Sequence, residues 1–203
     1  MKGRQILIVG LNYAPEPVGI GPYTQGLAEA LVARGAQVRV LAGKPYYPQW
    51  QTYPEFAKGG WLTSSEGGVE VTRCPHYVPA QPSGLKRVIH LASFALSALP
   101  HALRAALRGK GERPELVIAV APALLSIFTA WIAARLSGAK MWIHVQDFEV
   151  EAALATGLMD QGRLSARLAR WVEGAFLKGG DFVSTISPQM CAKLVAKGVA
   201  AGR

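Results

Sequence analysis

The chain has 203 residues, half of them hydrophobic, with 22 basic and 13 acidic side chains and a net charge of +9. Such a chain fits one large domain or two small ones and has enough apolar content to bury a core, which excludes disorder. The charge points to an anionic partner: a nucleic acid, a membrane surface or a phosphorylated small molecule.

The N-terminal stretch "MKGRQILIVG" turns at once into an apolar run, with neither the core length nor the small-residue cleavage pattern of a signal peptide. Gln5–Gly10 reads as a strand. It leads into "NYAPEPVGIGPYTQGLAEALVARG", from Asn12 to Gly35, which holds two prolines and two close glycines before a helix predicted over Tyr23–Arg34. Gly35 stands where a left-handed residue would end that helix. Gly19 and Gly21 lack a Cβ, so a ligand can come close to the main chain. The following helix offers unpaired N–H groups and the positive end of its dipole. Together these features suit a diphosphate, although the same glycines would also serve a plain turn. The spacing is not the dinucleotide fingerprint, because the loop is longer and Thr24 stands at the third glycine position.

Gln37–Ala42 is the second strand. Residues 44–60 then form a long irregular stretch that includes "PYYPQW". Tyr46, Tyr47, Gln49 and Trp50 supply rings beside amides. Sugars favour such surfaces, because their C–H faces stack on rings and their hydroxyls need polar partners. An aromatic loop packed on the domain edge is the alternative. Val69–Cys74 is a short strand. Leu85–Leu107 is a long helix that Pro100 is expected to kink or divide. Lys86, Arg87, Arg104, Arg108, Lys110 and Arg113 gather at its ends. It reads either as a core helix with exposed basic ends or as a helix lying on an anionic bilayer.

Leu116–Ala134 carries no charge for 19 residues, which is long enough to suggest a membrane span. It begins β-rich, breaks at Pro122 and then reads as a helix to Ser137, so a buried strand, turn and helix account for it better. Lys140–Val145 is a strand, followed by helices at about Glu149–Ala155 and over Leu164–Lys178. Asp181–Ile186 is the last strand and Pro188–Lys197 the last helix, with Ser187 as its cap. Cys74 and Cys191 form no metal or redox spacing and are read as reduced thiols of a cytoplasmic protein.

Strands alternating with helices predict an α/β, Rossmann-like parallel sheet with helices on both faces. Ligands of such sheets sit beyond the carboxyl ends of the strands. There "HVQDFEVEA" places His144, Gln146, Asp147, Glu149 and Glu151. A carboxylate in that position can orient a hydroxyl or act as a base. Equally, Asp147 can cap the following helix, and the glutamates can complement its dipole.

Four stretches, "NYAPEPVGIGPYTQGLAEALVARGAQVRVLAGKPYYPQWQ", "RCPHYVPAQPSGLKRVIHLASFALS", "HVQDFEVEAAL" and "VSTISPQMCAKLVAKGV", resemble the N-terminal half of GT-B glycosyltransferases of retaining family four. They resemble most its branch in colanic acid biosynthesis. The resemblance implies a retaining, hexosyl-type transferase needing no metal and no bound cofactor. It implies a nucleotide-sugar donor, GDP-fucose in that branch, and a lipid-linked saccharide acceptor at the inner face of the cytoplasmic membrane. It puts Gly19 and Gly21 near the donor diphosphate and Tyr46, Tyr47, Gln49 and Trp50 on the acceptor side. Asp147 would face acceptor or donor sugar. Many relatives have a histidine just before that aspartate. Here Gln146 takes that place and His144 lies two residues earlier, so which of His144, Gln146 and Asp147 meets the sugar stays open. The resemblance makes residues 1–203 the acceptor-side domain, with a C-terminal donor domain expected as its partner. A non-catalytic nucleotide- or saccharide-binding module is the alternative. No nucleic-acid motif appears, and an oxidoreductase would need an acid at the end of the second strand, where Ala42 and Gly43 stand.

Overall fold

The computed structural model describes residues 3–148 and 164–202. Seven strands form one sheet: β1 (Gln5–Val9), β2 (Gln37–Gly43), β3 (Leu62–Glu66), β4 (Val69–Cys74), β5 (Leu116–Ala121), β6 (Lys140–Val145) and β7 (Phe182–Thr185). Their order is β3-β4-β2-β1-β5-β6-β7. Every pairing is parallel except that of β3 with β4. The α/β Rossmann-like reading is therefore correct, with an antiparallel edge hairpin added.

The helices are α1 (Ile20–Ala33), α2 (Gly84–Ala106), α3 (Leu124–Ser137), α4 (Leu164–Lys178) and α5 (Pro188–Ala196), with a short 3-10 turn at Pro54–Phe56. On one sheet face Ile6, Ile8, Val38, Val40, Ile118 and Val120 meet Ala28 and Leu31 of α1. On the other, Leu7, Val9, Val117, Ala119, Ile143 and Val145 meet α2 and α3 through Phe94, Ala98, Ile127 and Ala130. Burial on both faces is why the central strands β1 and β5 are almost continuously apolar.

Several boundaries differ from expectation. Leu62–Glu66 forms a strand that the sequence reading left unassigned. It is exposed and lacks apolar alternation. It exists because Gly67 and Gly68, both at positive φ, turn the chain back onto β4. α1 begins at Ile20, so Gly21 and Pro22 lie inside its first turn, where a missing N–H costs nothing. Gly35 is left-handed as expected, at φ 87°. Pro100 does not divide α2, which runs unbroken past it. α2 is long and apolar enough to cross a membrane by length and composition, but 33% of its most apolar stretch is buried within the fold. Residues 116–134 form β5 and the start of α3, not one span. Ser187 caps α5, its Oγ accepting from the Met190 N–H at 3.2 Å. The helix expected at about Glu149–Ala155 lies outside the described residues.

Candidate functional site

The loops after β1, β2, β5, β6 and β7 converge with the first turns of α1 and α2 on a cavity of about 390 Å³. They contribute Asn12, Gly19, Ile20 and Tyr23; Tyr46, Tyr47 and Trp50; Pro122 and Ala123; Gln146 and Asp147; and Ile186, with Arg87, His90 and Leu91 from α2. The cavity therefore sits beyond the strand ends, where parallel sheets bind ligands. Its size suits a small ligand.

Gly19 caps α1 at φ 71°, ψ −141°, a conformation that glycine alone adopts readily. Among the described residues no side chain caps the first N–H groups of α1, and Gly19 and Ile20 line the cavity. That leaves an uncapped helix N-terminus at the cavity wall, an arrangement suited to an anion. Gly21 is placed differently. It is buried and does not line the cavity. A Cβ there would stand 3.2 Å from both Cβ and O of Glu16, so Gly21 serves close packing of the loop.

Glu16 holds the aromatic wall in place. Its Oε1 accepts the N–H groups of Tyr46 and Tyr47, each at 3.0 Å, and its Oε2 accepts from Asn12 Nδ2 at 2.9 Å. The carboxylate is buried, and that burial raises its pKa. Tyr46 is buried edge-on against Trp50, with centroids 5.4 Å apart, and against His90 at 4.8 Å. Tyr47 and Trp50 reach the cavity beside it. Trp50 has φ 54°, an uncommon conformation for a bulky residue, and its ring lies 5.9 Å from the Arg87 guanidinium. Gln49 is exposed and faces a neighbouring groove with Val78 and Ala80, not the cavity.

Two histidines back this wall. His90 Nδ1 donates to the Tyr77 carbonyl at 2.6 Å, and His76 Nδ1 donates to the Cys74 carbonyl at 3.3 Å. Burial lowers both pKa values, that of His76 to about 3, so both rings are neutral near pH 7.

Gln146 and Asp147 follow β6 and line the cavity. Asp147 is exposed, and its Oδ1 accepts the Phe148 N–H at 2.8 Å. His144 stands apart. Its Nδ1 lies 2.9 Å from Ser184 Oγ, which also accepts from Trp142 Nε1 at 2.7 Å, and it does not line the cavity. Side chains alternate along a strand. Ile143 and Val145 enter the core under α3, so His144 must face the opposite side. Glu149 and Glu151 lie outside the described residues. Among the described residues no cluster of three or more His, Cys, Asp or Glu could hold a metal ion. Cys74 is buried, Cys191 is exposed, and both are free.

Sequence reasoning missed Asn12, Glu16, Tyr23, Arg87 and His90. The signal for the last two was their three-residue spacing, which puts both on one helix face.

A family profile described as "Glycosyl transferase 4-like domain" matches residues 18–203. The chain is 45% identical over 200 residues, 97% of its length and 48% of the other's, to the Escherichia coli (strain K12) protein WcaI, which is named for glycosyl transfer in colanic acid biosynthesis. The chain thus spans about half the length of the curated relative it matches. Among solved structures, a chain of sucrose-phosphate synthase from Thermosynechococcus elongatus superposes with TM-score 0.60 at 16% identity, over 98% of this chain and 84% of that one. Arabidopsis thaliana UGT89C1 complexed with UDP superposes with TM-score 0.56 at 12% identity, over 98% of this chain and 46% of that one. These likenesses show a shared GT-B-type fold, and the sequence matches show more: the chain belongs to the glycosyl transferase 4-like family.

Proposed function

We propose that this chain is the acceptor-side, N-terminal domain of a glycosyltransferase that moves a sugar from a nucleotide diphosphate onto a lipid-linked exopolysaccharide intermediate. Fucose from GDP-fucose is the donor we favour, on the likeness to WcaI. One observation carries the reading. A single cavity brings together an uncapped helix N-terminus, an Arg87-flanked aromatic wall and the exposed carboxylate of Asp147.

In this reading the α1 N-terminus and Arg87 stabilise the leaving diphosphate electrostatically as its charge develops. Tyr47 and Trp50 stack the acceptor sugar. Gln146 and Asp147 hold hydroxyls, and a hydroxyl donating to Asp147 is oriented for attack. His144, bonded to Ser184 outside the cavity, has a structural role. The reaction retains the anomeric configuration and uses no metal. A second, C-terminal domain supplies most donor contacts and closes the cleft. The acceptor sits at the inner face of the cytoplasmic membrane. There the exposed Leu85, Val88 and Ile89 of α2, with Lys86 and Arg87, lie beside the cavity mouth.

The test is transfer of labelled fucose from GDP-fucose to lipid-linked saccharides in membrane extracts. A chimera of this chain followed by the remaining half of WcaI should transfer, whereas the 203-residue chain alone should not. Turnover by the isolated chain would overturn the domain assignment. A folded chimera inactive with every nucleotide sugar would overturn the function.

A further inference from the structure

The helical layer carries a second surface, whose exposed aromatic residues do not line the cavity. α3 and α4 pack on the sheet face that α2 also covers, with Ile127, Ala130 and Ala133 of α3 and Leu177 of α4 turned inward. Their outward residues are unusual for a water-facing pair. On α3, Phe128 is 49% exposed, Trp131 37% and Leu136 48%, at positions i, i+3 and i+8 of one helix face. On α4, Leu168 is 59% exposed and Trp171 70%. Phe128 stacks on Trp131 with centroids 6.0 Å apart and planes 11° apart, and it also meets Phe176 of α4 at 6.4 Å. The two helices thus share one aromatic surface.

Among the described residues the charge on this surface is mainly basic. Arg135 sits over Trp131, its guanidinium 5.4 Å from the ring, and Arg167 and Arg170 flank Leu168 and Trp171 on an exposed face. α3 has no acidic residue. The one acid of α4, Glu173, is 1% exposed and faces inward to Lys197 Nζ at 2.5 Å. The exposed acid near Arg135, Asp181, is paired with Lys140 at 2.9 Å. Exposed Trp and Phe beside Arg135 and Arg167 match the headgroup region of an anionic bilayer. Amphipathic rings settle there, and each basic side chain gains from the surface potential.

We infer that the outer face of α3 and α4 is a membrane-docking surface that rests in the headgroup layer of an anionic bilayer. This deepens the membrane part of the proposed function and rests on it, but it does not depend on the sugar chemistry. With α2 in the same layer, docking there would lay all three helices along the bilayer and leave the strand-end cavity at its edge.

Co-sedimentation with vesicles tests it, using equal parts phosphatidylglycerol and phosphatidylcholine against phosphatidylcholine alone. The chain should partition onto the anionic vesicles and leave them as salt rises. The Leu168→Ala/Trp171→Ala pair should lower the partition coefficient by about tenfold, with an equal or larger loss for Arg135→Glu/Arg167→Glu. These side chains are exposed, so circular dichroism should show unchanged folding. A Leu85→Ala/Val88→Ala pair on α2 provides the contrast. If that pair abolishes binding while both α3–α4 pairs bind normally, this inference fails and the membrane reading stands. Absence of vesicle binding would overturn both. A dimer in sedimentation equilibrium that Trp171→Ala dissolves would assign the face to a second copy of the chain instead.

Discussion

Glu16 and Tyr46, thirty positions apart in sequence, are joined by a 3.0 Å hydrogen bond from the Tyr46 N–H to the buried Glu16 carboxylate. This bond sets the glycine loop after β1 against the aromatic loop after β2, and so fixes the spacing of the two cavity walls. Glu16→Gln keeps one accepting oxygen but turns an NH2 toward Asn12 Nδ2, opposing two donors. We expect the single variant to weaken saccharide binding several-fold. The double variant Glu16→Gln/Asn12→Asp, which again pairs a donor with an acceptor, should recover most of it. Calorimetric binding across the four-member cycle measures this coupling. Additive effects would show that the bond does not set the spacing.

Opposite pH slopes should separate the two walls. Glu16 has a folded pKa raised above its ordinary 4.5 by burial. The folded state therefore binds its proton more tightly than the unfolded chain, and the Glu16 contribution to stability falls as pH rises from about 4.5 through the folded value. His76 runs the other way. Its folded pKa is lowered from 6.5 to about 3, so its contribution is fully present above pH 6.5 and is lost as pH falls toward 3. Denaturant unfolding from pH 4 to pH 8, on the order of one point per half unit, resolves these slopes. Glu16→Gln should remove the first slope. His76→Asn, which retains a donor where Nδ1 stood, should reduce the second and leave the part that His90, whose pKa is also lowered by burial, contributes in the same direction.

The two glycines of the loop should fail for different reasons. Gly19→Ala forces a side chain into a glycine-only conformation at the cavity wall and should cost about 1–3 kcal/mol in thermal unfolding while weakening anion binding. Gly21→Ala pushes a methyl against Glu16 and the Tyr13 backbone, so it should destabilise similarly by displacing the loop. Binding of inorganic pyrophosphate, measured beside melting temperature, should drop more per degree lost for Gly19→Ala.

Asp147 and His144 should also part. In the active chimera, Asp147→Asn should lower kcat at least about tenfold with little change in melting temperature, because among the described residues the exposed carboxylate bonds only the adjacent Phe148 N–H. His144→Ala breaks the contact with Ser184 and should act mainly on stability. A larger kcat loss for His144→Ala, with stability intact, would reverse these roles.

Those contrasts show where the sequence was informative. The strands "ILIV" and "LVIAVA" were readable because burial on both faces leaves continuous apolar runs. "KMWIHV" was readable because its buried apolar residues alternate along the strand. β3 was not, since an exposed edge strand needs no apolar pattern and is held by its hairpin with β4. Gly19 and Gly21 looked equivalent because they share a composition signal. Only the early start of α1 turns one toward the cavity and the other into the loop. Arg87 and His90 looked like parts of a basic, apolar helix, and their role at the cavity depends on where α2 crosses the sheet. Glu16 gave no local signal of this role, because the two N–H groups it bridges, those of Tyr46 and Tyr47, lie thirty and thirty-one residues away.

The central claim is that the strand-end cavity receives the sugar and its diphosphate. Amide NMR of the labelled chain, titrated with pyrophosphate and with GDP-fucose at millimolar concentration, tests it most directly and detects even weak binding. Shifts concentrated at Gly19, Ile20, Trp50, Gln146 and Asp147 are expected. Shifts confined to residues away from these five, or none at saturating ligand, would contradict it.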